Sequence, residues 1–357
     1  MLSRERMQLT LDHKEADRVP RYSFLSPSIR KRFKIIFNIS DDFDLAYVFD
    51  HDFVLVFTGY PSPWVVNNST MLRKEGEIFH DEWGIKYKTV YYNEGYYPTI
   101  IENPIKDLDG YEKYTFPDPL GDKNFDLLCE VVKKYKKDKY IFAGDVSTLF
   151  EGSWFLRGME NFLIDLYKNP EHVEILFDKF VDYKIKAGLK ALSLGADVLW
   201  LGDDIGMQDR MIIPPEFFRK YLKPKYAKII QELREKNRDA KIAFHTCGFI
   251  EPIIEDFIDI GVDILNSLQP VNDLKMIKKK YGKNLVFWGG IDIQEVLPIG
   301  DAGDVIKEVK EKLEVLAPGG GYIIMGSNEI QYSDKVMGNL FTYYWALDKF
   351  SKYPINF

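Results

Sequence analysis

His245 and Cys247 close the run Lys241-Ile-Ala-Phe-His-Thr-Cys-Gly248. The apolar part reads as a β-strand, and residues two apart on a strand face the same way. The imidazole and the thiol therefore share one face at the strand's carboxyl end, just before a glycine turn. A histidine nitrogen and a thiolate placed like this are good ligands for zinc. Two ligands do not complete the three or four that zinc takes. The same residues also fit a buried cysteine beside a hydrogen-bonded core histidine.

The elements that position this pair form a regular rhythm. Apolar strands near residues 20, 53, 141, 198, 242, 263, 286 and 322 alternate with amphipathic helices. Strands of that kind imply a parallel sheet covered by helices, and eight such units imply an α/β fold of the (β/α)8 TIM-barrel type. One domain is expected across residues 1–357, with Val19 to Leu25 as its first strand. No GxGxxG follows that strand, so nothing supports a dinucleotide fold. A helix is expected over Ser153 to Leu166, and Cys129 is expected in the core as part of a helix from Asp126 to Lys136. Between about 69 and 119 the chain alternates apolar and polar residues around a turn at Trp83-Gly84, with a second arm near Tyr97 to Ile101. This predicts an antiparallel hairpin insertion. Its aromatic residues would pack either a lid or a subunit interface, the latter giving a homodimer.

Active sites of such barrels lie at the carboxyl ends of the strands. Those ends carry Asp145 and Glu151, then Asp203 and Asp204, then His245 and Cys247. Asn266 and Gln269 follow, then Gly289, Gly290 and Asp292, and lastly Ser327, Asn328 and Glu329. A helix cap or a loop-amide contact is an equal alternative for Asp145 and Asp204, and Glu151 would suit a helix start in any case. His13, His51, His80 and His172 fall away from this mouth.

Composition bounds the remaining possibilities. A formal charge of −7 argues against a nucleic-acid surface. With only Cys129 and Cys247 there is no disulfide framework, and a reducing, cytoplasmic setting is expected. There is no apolar run of membrane-spanning length, and no signal-peptide core follows Met1-Leu-Ser-Arg.

Several segments in order resemble the uroporphyrinogen decarboxylase superfamily, in its branch related to corrinoid-dependent methyltransferases. They are Ser3-Arg-Glu-Arg with Asp17-Arg-Val-Pro20, Phe150-Glu-Gly-Ser-Trp-Phe-Leu-Arg-Gly-Met-Glu-Asn161, and Asp203-Asp-Ile-Gly206. His245-Thr-Cys-Gly248, Gly261-Val-Asp-Ile-Leu-Asn266 with Gln269-Pro270, Trp288-Gly-Gly-Ile-Asp292 and Leu316-Ala-Pro-Gly-Gly-Gly-Tyr322 complete the set. The resemblance spans nearly the whole chain and implies the same barrel. The Arg-Gln-Ala-Gly-Arg motif of true decarboxylases is missing, since the first strand reads Pro20-Arg-Tyr-Ser-Phe24.

The resemblance implies zinc held by a His-x-Cys pair and a later cysteine, with methyl transfer between a methylated corrinoid protein and a small thiol, donor or acceptor. His245 and Cys247 match the pair. The later cysteine would fall at Gly320, and related chains carry a histidine in the segment matching Gly326 to Glu329; this chain has neither. Glu329, or failing that Glu151, is the expected third ligand. Glu151 and Asp204 are the expected catalytic carboxylates, with Asp145, Asp203, Asn266, Gln269 and Gly290 as substrate contacts. The chain has no cobalamin-binding Asp-x-His-x-x-Gly segment, so the corrinoid is expected on a partner protein. Two alternatives share the same mouth: a lyase acting on a small carboxylic acid, using Arg21, Arg157 or Arg210, and a catalytically silent binding barrel.

Overall fold

The structure, a computed structural model, describes residues 1–58, 74–92, 95–121, 124–144 and 147–357. Asp145 lies outside the described residues. Seven strands make one parallel sheet: β1 (Phe53–Phe57), β5 (Tyr140–Gly144), β6 (Val198–Gly202), β7 (Lys241–His245), β8 (Ile264–Leu268), β9 (Val286–Ile291) and β10 (Tyr322–Gly326). They neighbour one another in that order, and the sheet curls. Its strands read as near-continuous apolar runs because both faces are buried. Phe53, Leu55, Phe142, Trp200, Trp288 and Met325 face the interior of the curl, with Phe53 stacked on Phe142 at 4.1 Å. The residues between them, such as Val54, Ile141, Leu199 and Phe244, pack on the outer helices.

The expected first strand differs. Pro20 to Leu25 is extended but touches β10 and its following loop only through isolated bridges, Arg21 to Ile324 and Leu25 to Ile330. Ile324 N donates to Pro20 O at 2.9 Å, while Asp52 N donates to Arg21 O at 3.0 Å beside β1. The segment thus reaches both edges of the sheet. Pro20 has no N–H to offer, which breaks a regular ladder.

The amino end of the curl is plugged. Met7 and Leu11 of the helix Ser3–Leu11 enter the interior core. Arg4 forks onto Asp197 with two 2.9 Å bonds, and Arg6 joins Asp17 to the fully buried Asp52. Gly319 and Gly320 belong to this same end: a side chain at Gly320 would strike the backbone of Lys14. With this pole filled, the carboxyl ends of the strands are left to form the mouth.

A second, antiparallel sheet of β2 (Ile78–His80), β3 (Lys86–Tyr92) and β4 (Gly95–Glu102) stands where the hairpin is expected. Its turn is held by Asp81, which accepts from Trp83 N and Ile85 N, with Gly84 at φ 72°. Trp83 is buried and stacks on Phe180 of the long helix Pro170–Leu194, which anchors this sheet to the main body. The single helix expected over 153–166 is two, Phe150–Arg157 and Met159–Lys168, because Gly158 between them has φ 88°. Cys129 is exposed rather than core: Leu128, Val131 and Tyr135 form the buried stripe of its helix, and position 129 falls beside it. Among the described residues no helix is long and apolar enough to cross a membrane.

Candidate active site

The mouth is a cavity of about 970 Å³. Phe24, Phe57 and Trp200 form its floor, Trp154 and Phe155 one wall, and Pro98 to Ile100 of β4 reach over from the antiparallel sheet. Into it project the ends of β6, β7 and β10.

Asp204, His245 and Cys247 come together here, with their ligand atoms all within 4.8 Å of one another. His245 Nε2 lies 3.4 Å from Cys247 Sγ and 3.4 Å from Asp204 Oδ1. Zinc bound tetrahedrally by such donors sets them roughly 3.4–3.6 Å apart, from metal–ligand bonds of about 2.0–2.3 Å. The donor chemistry and both spacings fit zinc.

Neighbouring groups orient the trio. Asn266 Oδ1 lies 2.6 Å from His245 Nδ1, while the Asn266 amide donates to Trp288 O. That second bond sets the amide so that its oxygen faces the ring, which places the proton on Nδ1 and leaves the Nε2 lone pair facing Asp204 and Cys247. Asp204 Oδ1 accepts from Cys247 N at 2.8 Å, and Glu151 Oε2 accepts from Asp204 N at 3.1 Å. Gln269 Oε1 accepts from Gly248 N, and Asn272 clamps the same turn by donating to Gly248 O and accepting from Ile250 N. Asn328 donates to Cys247 Sγ at 3.0 Å.

The charges suit a bound cation. Burial pushes the Cys247 thiol well above its usual range, and the Asp204 and Glu151 carboxylates push the same way. Burial also pushes Asp204 up, but the neighbouring His245 ring, acting on it in its cationic form, and the Cys247 N–H outweigh that and hold it below the ordinary carboxylate value. A thiol of this kind gives up its proton when a metal arrives.

Several expected roles change. The carboxylate beside His245 and Cys247 is Asp204. Glu329 lines the cavity but is not part of the trio, and its side chain accepts from Gln331 Nε2 at 2.7 Å. A later cysteine at Gly320 would not reach the site, since Gly320 precedes β10 at the plugged end and a five-residue strand spans about 17 Å. Asp203, expected to touch substrate, faces away from the cavity and is fully buried. It accepts from Leu149, Phe150 and Glu151 N at the start of the helix Phe150–Arg157, and from Tyr226 OH. Burial pushes its carboxyl up to about 6 against these donors. Asn266 sits behind His245 rather than in the cavity lining. Gly290 also lies outside the lining, where a side chain would meet Tyr322 Oη at 2.9 Å. Glu151, Asp204 and Gln269 do line the cavity.

Among the described residues no lysine or arginine lines the cavity. Arg21 pairs with Asp348 and Asp50, Arg157 with Asp165, and Arg210 lies exposed beside Asp209. None of the three is placed to grip the carboxylates of an acidic substrate. Asn328 and Asn272 went unassigned from sequence: strand-end placement marks Asn328, but an amide carries no ligand signature, and nothing local marks Asn272.

The family model for uroporphyrinogen decarboxylase matches residues 83–335. The fold is similar to that of a methyltransferase from Methanosarcina mazei, with TM-score 0.73 and 18% identity, covering 98% of this chain and 99% of that one. Weaker likenesses reach Xanthomonas albilineans dihydropteroate synthase (TM-score 0.34, 15% identity, 45% of this chain and 59% of that one) and a psychrophilic family 10 endo-β-1,4-xylanase (0.33, 10%, 64% and 68%). No curated protein sequence matches the chain.

Proposed function

Since the chain belongs to the uroporphyrinogen decarboxylase family, we propose that it is a zinc-assisted methyltransferase working between a methylated corrinoid protein and a small molecule. The observation that carries this reading is the Asp204, His245 and Cys247 trio at the strand ends of a large cavity. The structural likeness to a methyltransferase over almost the full length supports it.

Asp204, His245 and Cys247 would hold the metal. Bound there with an open position, zinc would lower the pKa of a substrate thiol, whose thiolate is the nucleophile in methyl transfer. Asn266 keeps the imidazole in the ligating tautomer. Glu151, on the cavity wall and bonded to Asp204 N, is placed to take the proton that such a substrate releases. The aromatic floor and wall exclude water from the transferring methyl group. The corrinoid arrives on a partner protein over the open carboxyl-end face, because the opposite end is filled by the helix Ser3–Leu11.

Zinc content and methyl transfer test this together. Purified protein is expected to hold one zinc, lost in Asp204→Asn and Cys247→Ser and kept in Glu329→Gln. It is also expected to demethylate free methylcobalamin in the presence of a small thiol, followed by the visible spectrum. Protein without zinc after metal-replete reconstitution under reducing conditions, and without turnover, would sink the reading.

A further inference from the structure

We propose that the substrate of this cavity is a small organic cation, a thiol carrying a quaternary or N-alkylated ammonium group, whose thiolate accepts the methyl while the cavity wall holds the ammonium. The inference deepens the function proposed above, and rests on it in taking this cavity as the reacting site. Among the described residues five carboxylates line the space, Glu151, Asp204, Asp292, Glu295 and Glu329, and no lysine or arginine does. Three of these are committed: Asp204 to the metal trio, Glu151 to the Asp204 backbone amide, and Asp292 Oδ1 to the backbone amides of Gln294 and Glu295.

Glu329 is the informative one. It lies in the cavity wall with its accessible part opening on the cavity, and its one side-chain hydrogen bond comes from the neutral Gln331 amide. No ion pair reaches it among the described residues; Arg30, the basic group acting on it from a distance, is paired with Asp42 at 3.2 Å. A metal at the trio would offset Asp204 and Cys247, leaving Glu329 uncompensated. A carboxylate held out of bulk water is stabilised by a counter-charge entering the same space.

The remaining wall narrows the kind of cation. Phe24, Phe57 and Trp200 form a chain of rings with centroids 6.0 and 5.5 Å apart, and Trp154 lies against Phe155 at 4.1 Å. Aromatic faces attract cations, most of all those that are weakly hydrated, such as alkylated ammonium groups. A compact, strongly hydrated cation would lose more solvation than these rings return. A carboxylic acid finds no basic partner among the described lining residues.

Calorimetric titration of the zinc-loaded protein tests the proposal, using tetramethylammonium and choline against two probes of nearly equal shape. These are neutral 3,3-dimethylbutan-1-ol and anionic 3,3-dimethylbutanoate. Choline is expected to bind at least ~10-fold more tightly than the neutral alcohol, a ratio worth about 1.4 kcal/mol, and the anion not at all. Glu329→Gln is expected to abolish that preference with zinc content unchanged. Trp154→Leu, which keeps the charge, is expected to weaken choline several-fold while sparing the alcohol. Equal or tighter binding of the alcohol, no binding of either cation, or a preference that survives Glu329→Gln overturns the proposal. Methyl transfer measured on the same samples separates the two readings. Choline preference without methyl transfer rejects only the proposed reaction, and methyl transfer without cation preference rejects only this inference.

Discussion

Asn328, just beyond β10, lies with its side-chain amide 3.0 Å from the Sγ of Cys247, just beyond β7. It stands beside the ligand trio, at the opposite end of β10 from the glycine segment that matches the later cysteine of related chains. A thiol at 328 would face the site. Asn328→Cys is therefore expected to raise zinc affinity by at least ~10-fold, because a second thiolate joins the trio. Competition against a chromophoric chelator measures it. An unchanged or lower affinity in a folded variant would show that position 328 does not address the metal.

Asn266 acts on the metal site through His245. Removing its oxygen frees the imidazole to rotate and to change tautomer. Asn266→Ala is expected to lower zinc affinity by about 10- to 100-fold, the usual scale for an outer partner of a ligating histidine. The thermal transition of the zinc-free protein serves as the control. Wild-type affinity in this variant would contradict the orienting role.

Asp203 holds the fold next to the site. Its carboxylate takes three amides at the start of the helix Phe150–Arg157 and the Tyr226 hydroxyl, all away from water. Asp203→Ala is expected to destabilise the protein by about 3 kcal/mol, since buried donors lose their acceptor. Urea unfolding reads this directly. A loss below about 1 kcal/mol would mean that water replaces the carboxylate.

Acid sensitivity is built into the plugged end. The hydrogen bonds from Arg6 hold Asp17 at about 2, below the ordinary carboxylate value, with burial opposing. A carboxylate lowered on folding contributes stability that is present above its unfolded value near 4 and lost as pH falls through about 2. Asp17→Asn is thus expected to be less stable than wild type at pH 5, with the gap closing between about pH 4 and pH 2. Urea midpoints across that range test it, and a gap that does not vary with pH would reject the Arg6 linkage.

Much of the architecture was legible because strand periodicity and helix spacing are local properties. Seven of the strands, the antiparallel turn at Asp81 to Ile85 and the partnership of His245 with Cys247 follow from alternation along short runs. The break at Gly158 and the irregular pairing of Pro20 to Leu25 were less legible. One depends on a backbone angle, the other on which edges a segment meets across the sheet.

By itself, the amino-acid sequence pointed to His245 and Cys247 sharing a face at a strand's carboxyl end, by carrying the two-residue strand repeat one step past His245, the last residue of β7. It also placed a carboxylate pair, Asp203-Asp204, at the end of the preceding strand. Only the tertiary structure decided between those two neighbours. Adjacent residues point to opposite sides, so one reaches His245 and the other caps a helix behind the sheet, and which does which depends on how the sheet curls. The same curl put Glu329 in the cavity wall without an ion-pair partner among the described residues, and Gly320 at the far pole. Such distances across the sheet appear in no local pattern of residues.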